Sequence, residues 1–337
     1  MVDGRAQVAT ATQAFRTVRG TRRLHHGDRV RVLQGTARIE LSDDRSLELR
    51  RGSLVAVDEP LTLTTGDSLA KAAATTLTVR TAMTDVAVSR GASRVVSSLA
   101  VRAGAYTGSL DIDSAGRQLH VPALRQAVVP TAGLVPDRPL PIAYEPSDSW
   151  DRRYLGEAID LGGELASRSR GFAAQVPPAN TTTADFYRRL LPTLTSEAAF
   201  TDALIDPART PGETLVGAAI AGRGKQGTFA DRWAAVFGFR DDGADWGLVA
   251  GDQDVDRGPL LQDLDQAITR ATPPLGGPPP PLGPESGPTP TLPLVPLPTS
   301  PGRTSTTRGV SRRTTTTHTT GTTLPTIPIT TVTIPNR

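Results

Sequence analysis

Three groups of residues have the types and spacing to do chemistry. The first is Gly222-Arg223-Gly224-Lys225-Gln226-Gly227, a GxGxxG in form, which follows an apolar stretch and precedes a helical pattern. Such glycines let a backbone approach a pyrophosphate at a helix N-terminus. Pro211 and Glu213, however, give the preceding stretch a helical start, and no later strands follow to build a nucleotide-binding sheet. A helix–loop–helix connection is the preferred reading and nucleotide binding the alternative. The second group is Asp252, Asp254 and Asp256 with Asp263 at the twelfth position, which resembles a calcium loop. The sharp turn of such a loop wants glycine at position six, where Arg257 stands, with Gly258 one place late. Acids capping a helix that starts near Pro259 account for the same residues, so calcium stays open as the second reading. The third group pairs His120 with Asp113 and His25 with Asp28, but no Gly-x-Ser-x-Gly elbow supplies a nucleophile. His25 and His26 have no third metal ligand in the sequence, and nothing selects a glycosidase-like pair of carboxylates. No catalytic, cofactor-binding or metal residue is assigned on these grounds, and no cofactor is expected.

Composition narrows the classes further. The 337 residues include no cysteine, which removes disulfide scaffolds, thiol nucleophiles and iron–sulfur centres. No run approaches the roughly 18 apolar residues that a membrane-spanning helix needs. The net charge of +3 is misleading as a single number. From residue 273 onward there are five arginines (Arg303, Arg308, Arg312, Arg313, Arg337) against Glu285 alone, so the rest of the chain is close to neutral. A basic nucleic-acid-binding body is therefore excluded, and no nucleic-acid partner is expected.

The elements that must position any site fall into three zones. Residues 1–140 contain only two aromatic side chains, Phe15 and Tyr106, and read as β throughout. Ala37, Ile39 and Leu41 alternate with Arg38, Glu40 and Ser42; Leu47/Leu49, Leu61/Leu63, Leu77/Val79, Val86/Val88, Leu99/Val101, Leu110/Ile112 and Leu119/Val121 repeat the period of two. Turn residues stand between them, among them Gly35, Asp43-Asp44, Gly52, Gly66-Asp67 and Gly116. About ten short strands imply a sandwich or a roll-like, solenoid-like all-β domain.

These strands also carry a resemblance. Gly27-Asp28-x-Val30, then Gly35-Thr36-Ala37-x-Ile39-x-Leu41-x-Asp43, then Leu47-x-Leu49-x-x-Gly52-Ser53 resembles the FecR-type domain, over roughly residues 20–130. Leu77-Thr78-Val79-Arg80-Thr81 and Val101-Arg102-Ala103-Gly104 stand where that family places its closing strands. The resemblance implies an extracytoplasmic β-rich domain that senses or relays signals, often beside a sigma-factor system, and has no catalytic residues. FecR-type domains normally follow a membrane-spanning helix, whereas this sequence begins Met1-Val2-Asp3-Gly4. Two expectations follow: anchoring through a segment upstream of Met1, or a cytoplasmic protein if Met1 is the true start.

Residues 141–272 carry the other twelve aromatics and read as a helical domain. Asp148 or Ser149 caps a helix with Trp150, Tyr154, Ala158, Leu161 and Leu165 on one stripe, ending at Gly171. The Asp151-Arg152-Arg153 run reads as a solvated face, with Arg153 paired to Glu157. Further helices are expected over residues 183–191, 196–205, from Thr210-Pro211-Gly212-Glu213, from Thr228 to Asp231 and beyond, and over 259–270; residues 246–250 are expected to be a short strand or buried turn. Trp150, Trp233 and Trp246 sit on core spacing. Residues 273–337 hold sixteen prolines and eighteen threonines and no aromatic, a composition that predicts a disordered tail.

Together these readings give a multidomain α+β protein: an all-β FecR-like domain, a mainly α-helical domain and a Pro/Thr-rich tail. The expected role is a non-enzymatic sensing, regulatory or scaffold protein of the cell envelope. Its partners would be an envelope protein, such as a member of a sigma-factor regulatory system, or cell-wall glycan. The alternative is an enzyme or ligand-binding protein with a nucleotide or calcium site at Gly222–Gly227 or Asp252–Asp263.

Overall fold

The computed structural model describes residues 4–10, 12–176, 183–271 and 330–333. Fourteen strands precede the helices: β1 (Arg5–Thr10), β2 (Gln13–Val18), β3 (Thr21–Leu24), β4 (Arg29–Gln34), β5 (Thr36–Glu40), β6 (Ser46–Arg50), β7 (Leu54–Ala56), β8 (Leu61–Ala72), β9 (Leu77–Arg80), β10 (Asp85–Ser97), β11 (Val101–Ser114), β12 (Arg117–Pro122), β13 (Arg125–Val129) and β14 (Leu140–Pro141). The alternation read from the sequence sets their faces, except at Leu99, which lies in the connection between β10 and β11 and is exposed rather than paired in phase with Val101. Ala37, Ile39, Leu47, Leu49, Leu63, Val79, Val86, Val88 and Leu110 are all fully buried, while Arg38, Glu40 and Arg80 face outward. One apolar cluster joins Val8 and Val32 of the early strands to Leu110, Val121 and Val129 of the late ones, so the sheet curls around a single core.

The strands form one hydrogen-bonded network whose main path is β14-β13-β11-β10-β9-β8-β6-β5-β15-β3, where β15 is Thr330–Thr333; off it, β12 pairs with β11, and β2, β1, β4 and β7 lead in turn to β8. β8 turns the corner: its first half pairs with β7, and its second half lies between β6 and β10. The expectation of a disordered tail falls mostly outside the described residues, and it is corrected at residues 330–333, which are extended and pair antiparallel with both β3 and β5. Threonine and valine are β-branched and fit a pleated strand.

Six α-helices follow: α1 (Ser149–Gln175), α2 (Ala184–Leu190), α3 (Pro211–Arg223), α4 (Phe229–Asp241), α5 (Trp246–Asp252) and α6 (Arg257–Ala271). The caps expected from the sequence are present. Asp148 caps α1, and Thr210/Glu213 and Thr228/Asp231 form full capping boxes on α3 and α4; Thr183, expected inside its helix, is instead the cap of α2. Four further expectations are corrected. α1 continues past Gly171 to Gln175, because Phe172 is fully buried and keeps the last turn docked. Residues 196–205 hold only a 3-10 turn over Asp202–Leu204, where the Asp202 carboxylate accepts the Ala184 N–H at the start of α2 instead of serving its own helix. Residues 246–250, expected as a short strand or buried turn, are buried but lie in a helix over Trp246–Asp252, where the Asp245 carboxylate accepts the Leu248 N–H. Arg153 reaches Glu48 across the sheet at 3.1 Å rather than Glu157 along the helix.

The helical core is built on α1, which packs against α5, α3 and α6. A chain of aromatic contacts runs Phe172–Phe186–Tyr187–Phe200–Trp233–Phe237–Trp246, with ring centroids 4.7 to 6.4 Å apart. Trp150, Trp233 and Trp246 are all buried, as their spacing predicts. The same core takes in Leu69, Ala92 and Tyr106 from the sheet, so β strands and helices share packed surface. No helix among the described residues is long and apolar enough to cross a membrane.

α5 approaches α1 so closely that a Cβ on Gly247 would lie 1.8 Å from the Ala158 carbonyl oxygen. Gly238, by contrast, lies on the exposed face of α4, and a methyl group added there would meet no atom within 4 Å. Gly247→Val is therefore expected to lower the unfolding free energy by about 3 kcal/mol through overpacking. Gly238→Ala is expected to raise it by about 0.5–1 kcal/mol through helix propensity. Urea unfolding of both variants checks the pair; equal effects would contradict the α1–α5 packing.

Candidate functional site

The register of four strands lays two rows of side chains on the helix-facing side of the sheet. One row runs Asp67–Val96–Arg102–Val128 across β8, β10, β11 and β13. The next runs Leu69–Arg94–Gly104–Gln126–Leu140 and reaches β14. Beside them the β10–β11 register shifts: Ala92 pairs with Thr107 and Ser93 with Ala105, leaving Tyr106 as the extra residue of a bulge. A bulge of this kind re-aims a side chain, and Tyr106 is turned into the helical core, stacked on Tyr154 of α1 at 5.0 Å.

The N-terminus of α1 lands on this patch. Asp148 caps it, accepting the Trp150 and Asp151 N–H groups at 2.8 and 3.2 Å. The same carboxylate takes a fork of hydrogen bonds from Arg50, one of them 2.6 Å from Nη2 to Oδ1. Arg50 in turn lies 3.7 Å from the centre of the Trp150 ring. Arg94 forks onto Asp67 at 3.0 and 2.6 Å and reaches Asp148 at 3.4 Å and Asp151 at 3.3 Å. Asp151 is buried; it also accepts a hydrogen bond from the Tyr106 hydroxyl and one from the Glu145 N–H at 2.8 Å. The expectation of a solvated Asp151 is therefore corrected: it is the centre of a charged cluster between helix and sheet.

The protonation states follow from these partners. The Arg50 hydrogen bond, helped by the capping N–H groups and opposed by burial, holds the Asp148 carboxyl well below the ordinary range. Burial works against the charge on Arg94, but the Asp67 hydrogen bonds outweigh it and push the guanidinium further up. Burial, then the bond to Asp151, raises the Tyr106 hydroxyl. Tyr144 is raised likewise, by burial and then by its bond to Asp245.

Next to the cluster lies a cleft of about 330 Å³, lined by Val96, Arg102, Gln126, Tyr144 and Glu145 among others. Asp67, Asp148 and Asp151 are engaged by arginines, Tyr106 and Tyr144 donate their hydroxyls to Asp151 and Asp245, and Glu145 accepts the Ser147 hydroxyl at 3.2 Å. Arg102 is exposed on the cleft rim and has no ion pair among the described residues.

The residues singled out from sequence are placed elsewhere. Gly222-Arg223-Gly224-Lys225-Gln226-Gly227 joins α3 to α4, so a helix rather than a strand precedes it. At the N-terminus of α4 the Asp231 carboxylate accepts the Thr228 N–H and the Thr228 hydroxyl accepts the Asp231 N–H, so two of the donors a phosphate would use are already engaged. Asp252, Asp254, Asp256 and Asp263 do not converge. Asp252 pairs with Arg125 at 2.6 Å, Asp263 with Arg223 at 2.6 Å, and Lys225 bridges Asp254 and Asp256 at 3.2 and 3.8 Å. No group of three or more metal-ligating side chains occurs among the described residues. The two candidate motifs thus meet each other, as base and acid. His120 bonds Asp111 at 2.7 Å across β11 and β12 rather than Asp113, and both are exposed. His25 lies 3.8 Å from Asp28, whose carboxylate is bonded to the His25 backbone N–H. Sequence reasoning missed Arg50, Arg94, Asp67 and Tyr106: Arg50 and Arg94 alternate with the buried Leu49 and Val95 as outward-facing residues do, and Tyr106 is marked only by being one of two aromatics in the β half.

No protein-family model and no curated protein matches the chain. Two crystal structures of a proposed anti-sigma factor from Parabacteroides distasonis ATCC 8503, at 2.50 and 1.65 Å resolution, are similar over a limited region. Each shares 16% identity at a TM-score of 0.26, covering 34% of this chain and 57% of the other. The chain thus spans little more than half the length of that protein, and a likeness of this size carries no argument about fold or role.

The pH dependence of stability follows from the shifts. Asp148 binds its proton less readily folded than unfolded, so its contribution is complete above about pH 5 and lost as pH falls below the ordinary carboxylate range. Tyr106 and Tyr144 keep their protons longer folded, so their contribution is present below about pH 10 and lost above it. Tm should form a plateau between these limits. Asp148→Asn should lower the plateau and flatten its acid limb, and Tyr106→Phe should flatten the alkaline limb. Arg94→Met, which strands buried Asp151, should cost about 3–5 kcal/mol. Acid limbs that stay parallel in wild type and Asp148→Asn would contradict the assignment.

Proposed function

We propose that this protein is a non-enzymatic regulatory or sensing protein of the cell envelope, acting through protein contacts. Its FecR-like half provides the contact surface, and the partner belongs to a sigma-factor regulatory system on the extracytoplasmic signalling route. Two supports lie in the sequence: the ordered strand–turn units of residues 20–130 and the lack of any assigned catalytic set. The observation that carries the reading is where apolar surface is left uncovered. The exposed large hydrophobic side chains of the described chain are Leu99, Val128, Leu134 and Leu140, all within one stretch of forty-odd residues. Val128 and Leu140 continue the two rows that lead out of the cleft, beside Arg102. Apolar side chains gathered at the margin of a polar cleft are the usual character of a protein-binding surface.

A photo-crosslinking side chain at Val128 or Leu140, in source cells fractionated afterwards, tests this. The expected result is a discrete adduct with an envelope or sigma-regulatory protein, reduced at least tenfold by Arg102→Glu, in a fraction open to external protease. Adducts with cell-wall glycan alone, or a protein confined to the protease-protected fraction, would overturn it. Calcium or nucleotide should leave Tm unchanged; a rise at micromolar ligand would favour a ligand-binding role.

A further inference from the structure

The place of β15 in the sheet points to a binding site of another kind. β15 runs antiparallel to both of its neighbours: Thr331 stands opposite Arg23 and Glu40, Val332 opposite Arg22 and Ile39, and Thr333 opposite Thr21 and Arg38. β3 and β5 are therefore parallel to each other and do not pair directly. Among the described residues, β15 is the only strand to which β3 is bonded. Taken away, it leaves two facing rows of unpaired N–H and C=O groups, separated by two strand spacings, or about 9.6 Å. A gap of that width is filled by one extended strand and by nothing wider.

The connection between α6 and β15 does not dictate which copy of the chain fills the gap. Fifty-eight residues lie between Ala271 and Thr330. Fully extended they reach about 190–210 Å, several times the roughly 50 Å breadth of a domain of this size. The strand is thus selected by main-chain hydrogen bonds with β3 and β5 rather than by a short tether. Any chain with the same C-terminal sequence satisfies those bonds equally.

We infer that the gap between β3 and β5 is a strand-acceptor site whose exchangeable ligand is the strand of residues 330–333 of a second copy of this chain. In the single chain its own segment fills the site; at higher concentration the segments exchange and join two copies, the low-cost route to a dimer that an exchanged element offers. The recognition is that of strand addition, with affinity from the backbone and register from the alternate positions. This inference is independent of the surface around Val128 and Leu140 and stands or falls separately.

The absence of cysteine makes the test clean, because any disulfide formed comes from introduced residues. Arg38 is exposed and lies opposite Thr333, a spacing within disulfide reach. The double variant Arg38→Cys/Thr333→Cys, oxidised at low micromolar concentration, is expected to close within one chain. A mixture of the full-length single variants Arg38→Cys and Thr333→Cys can form a mixed disulfide dimer only by exchange between copies. That dimer is expected to rise with concentration and to fall at least tenfold when the free peptide of residues 327–337 is added. The peptide carrying Thr331→Pro, which lacks one strand N–H and fits poorly, is expected not to compete. Closure of the double variant without any mixed dimer would overturn exchange. Failure of the double variant to close, with its Tm unchanged, would overturn the strand-acceptor site itself.

Discussion

The seating of α1 on the sheet depends on one half-buried cluster of charges, Arg50 and Arg94 against Asp67, Asp148 and the buried Asp151. Two guanidiniums do not neutralise three carboxylates, and such an imbalance would be costly in a dry interface. The remainder is met by dipoles. Asp148 and Asp151 sit at the first turn of α1, where the unpaired N–H groups carry partial positive charge, and Asp151 also receives the Tyr106 hydroxyl and the Glu145 N–H. The helix N-terminus thus supplies part of the compensation, and in doing so fixes where it lands. A hydrophobic contact would tolerate sliding of α1 along the sheet. A fork from Arg50 onto the capping carboxylate does not, so the cluster sets position more than it adds net stability.

That anchoring explains the uneven use of aromatic side chains. The β core is filled by Val, Leu, Ile and Ala, small enough for the inner faces of a curled sheet to meet. The helical core is irregular, with a long α1 and several short helices, and flat rings fill such gaps in a continuous chain of contacts. Tyr106 is the instructive exception. It is one of only two aromatics in the β half, and it belongs to the helical core, delivered there by a bulge in the sheet.

Much of the fold was legible because its signals are local. Period-two alternation placed the strands, and Thr210 with Glu213 and Thr228 with Asp231 announced two helix starts that the structure contains. The failures share a cause. Asp151 looks like one more charge on a helix face until Arg94, fifty-seven positions earlier in the chain, is brought beneath it. The apolar run at residues 246–250 is too short for its period to separate strand from helix, and the deciding residue is the cap at Asp245. At residues 330–333 the local composition argued for disorder, and only the unpaired edge of β5, some 290 positions away, makes a strand worthwhile. The candidate motifs failed in a related way: an acid-rich loop and a basic glycine loop each suggested a ligand, yet Lys225, Arg223 and Arg125 supply the counter-charges from within the chain.

The two ends of the sheet are treated differently, and the difference bears on how the protein meets others. At one end the last strand, β14, has only two residues and finishes in Pro141, which offers no N–H for a further strand. At the other end β5 is capped by β15 and then by β3, a four-residue strand with two central arginines. Both ends of this path are therefore poor templates for unspecific pairing. What stays open at the β14 end is side-chain surface, Val128 and Leu140 beside Arg102, which recognises shape and apolar area. What is open to exchange at the β5 end is backbone, which recognises any strand of the right length and alternation. A contact made through one end leaves the hydrogen bonds of the other untouched, so the same sheet can engage a partner by its face while its far edge remains paired.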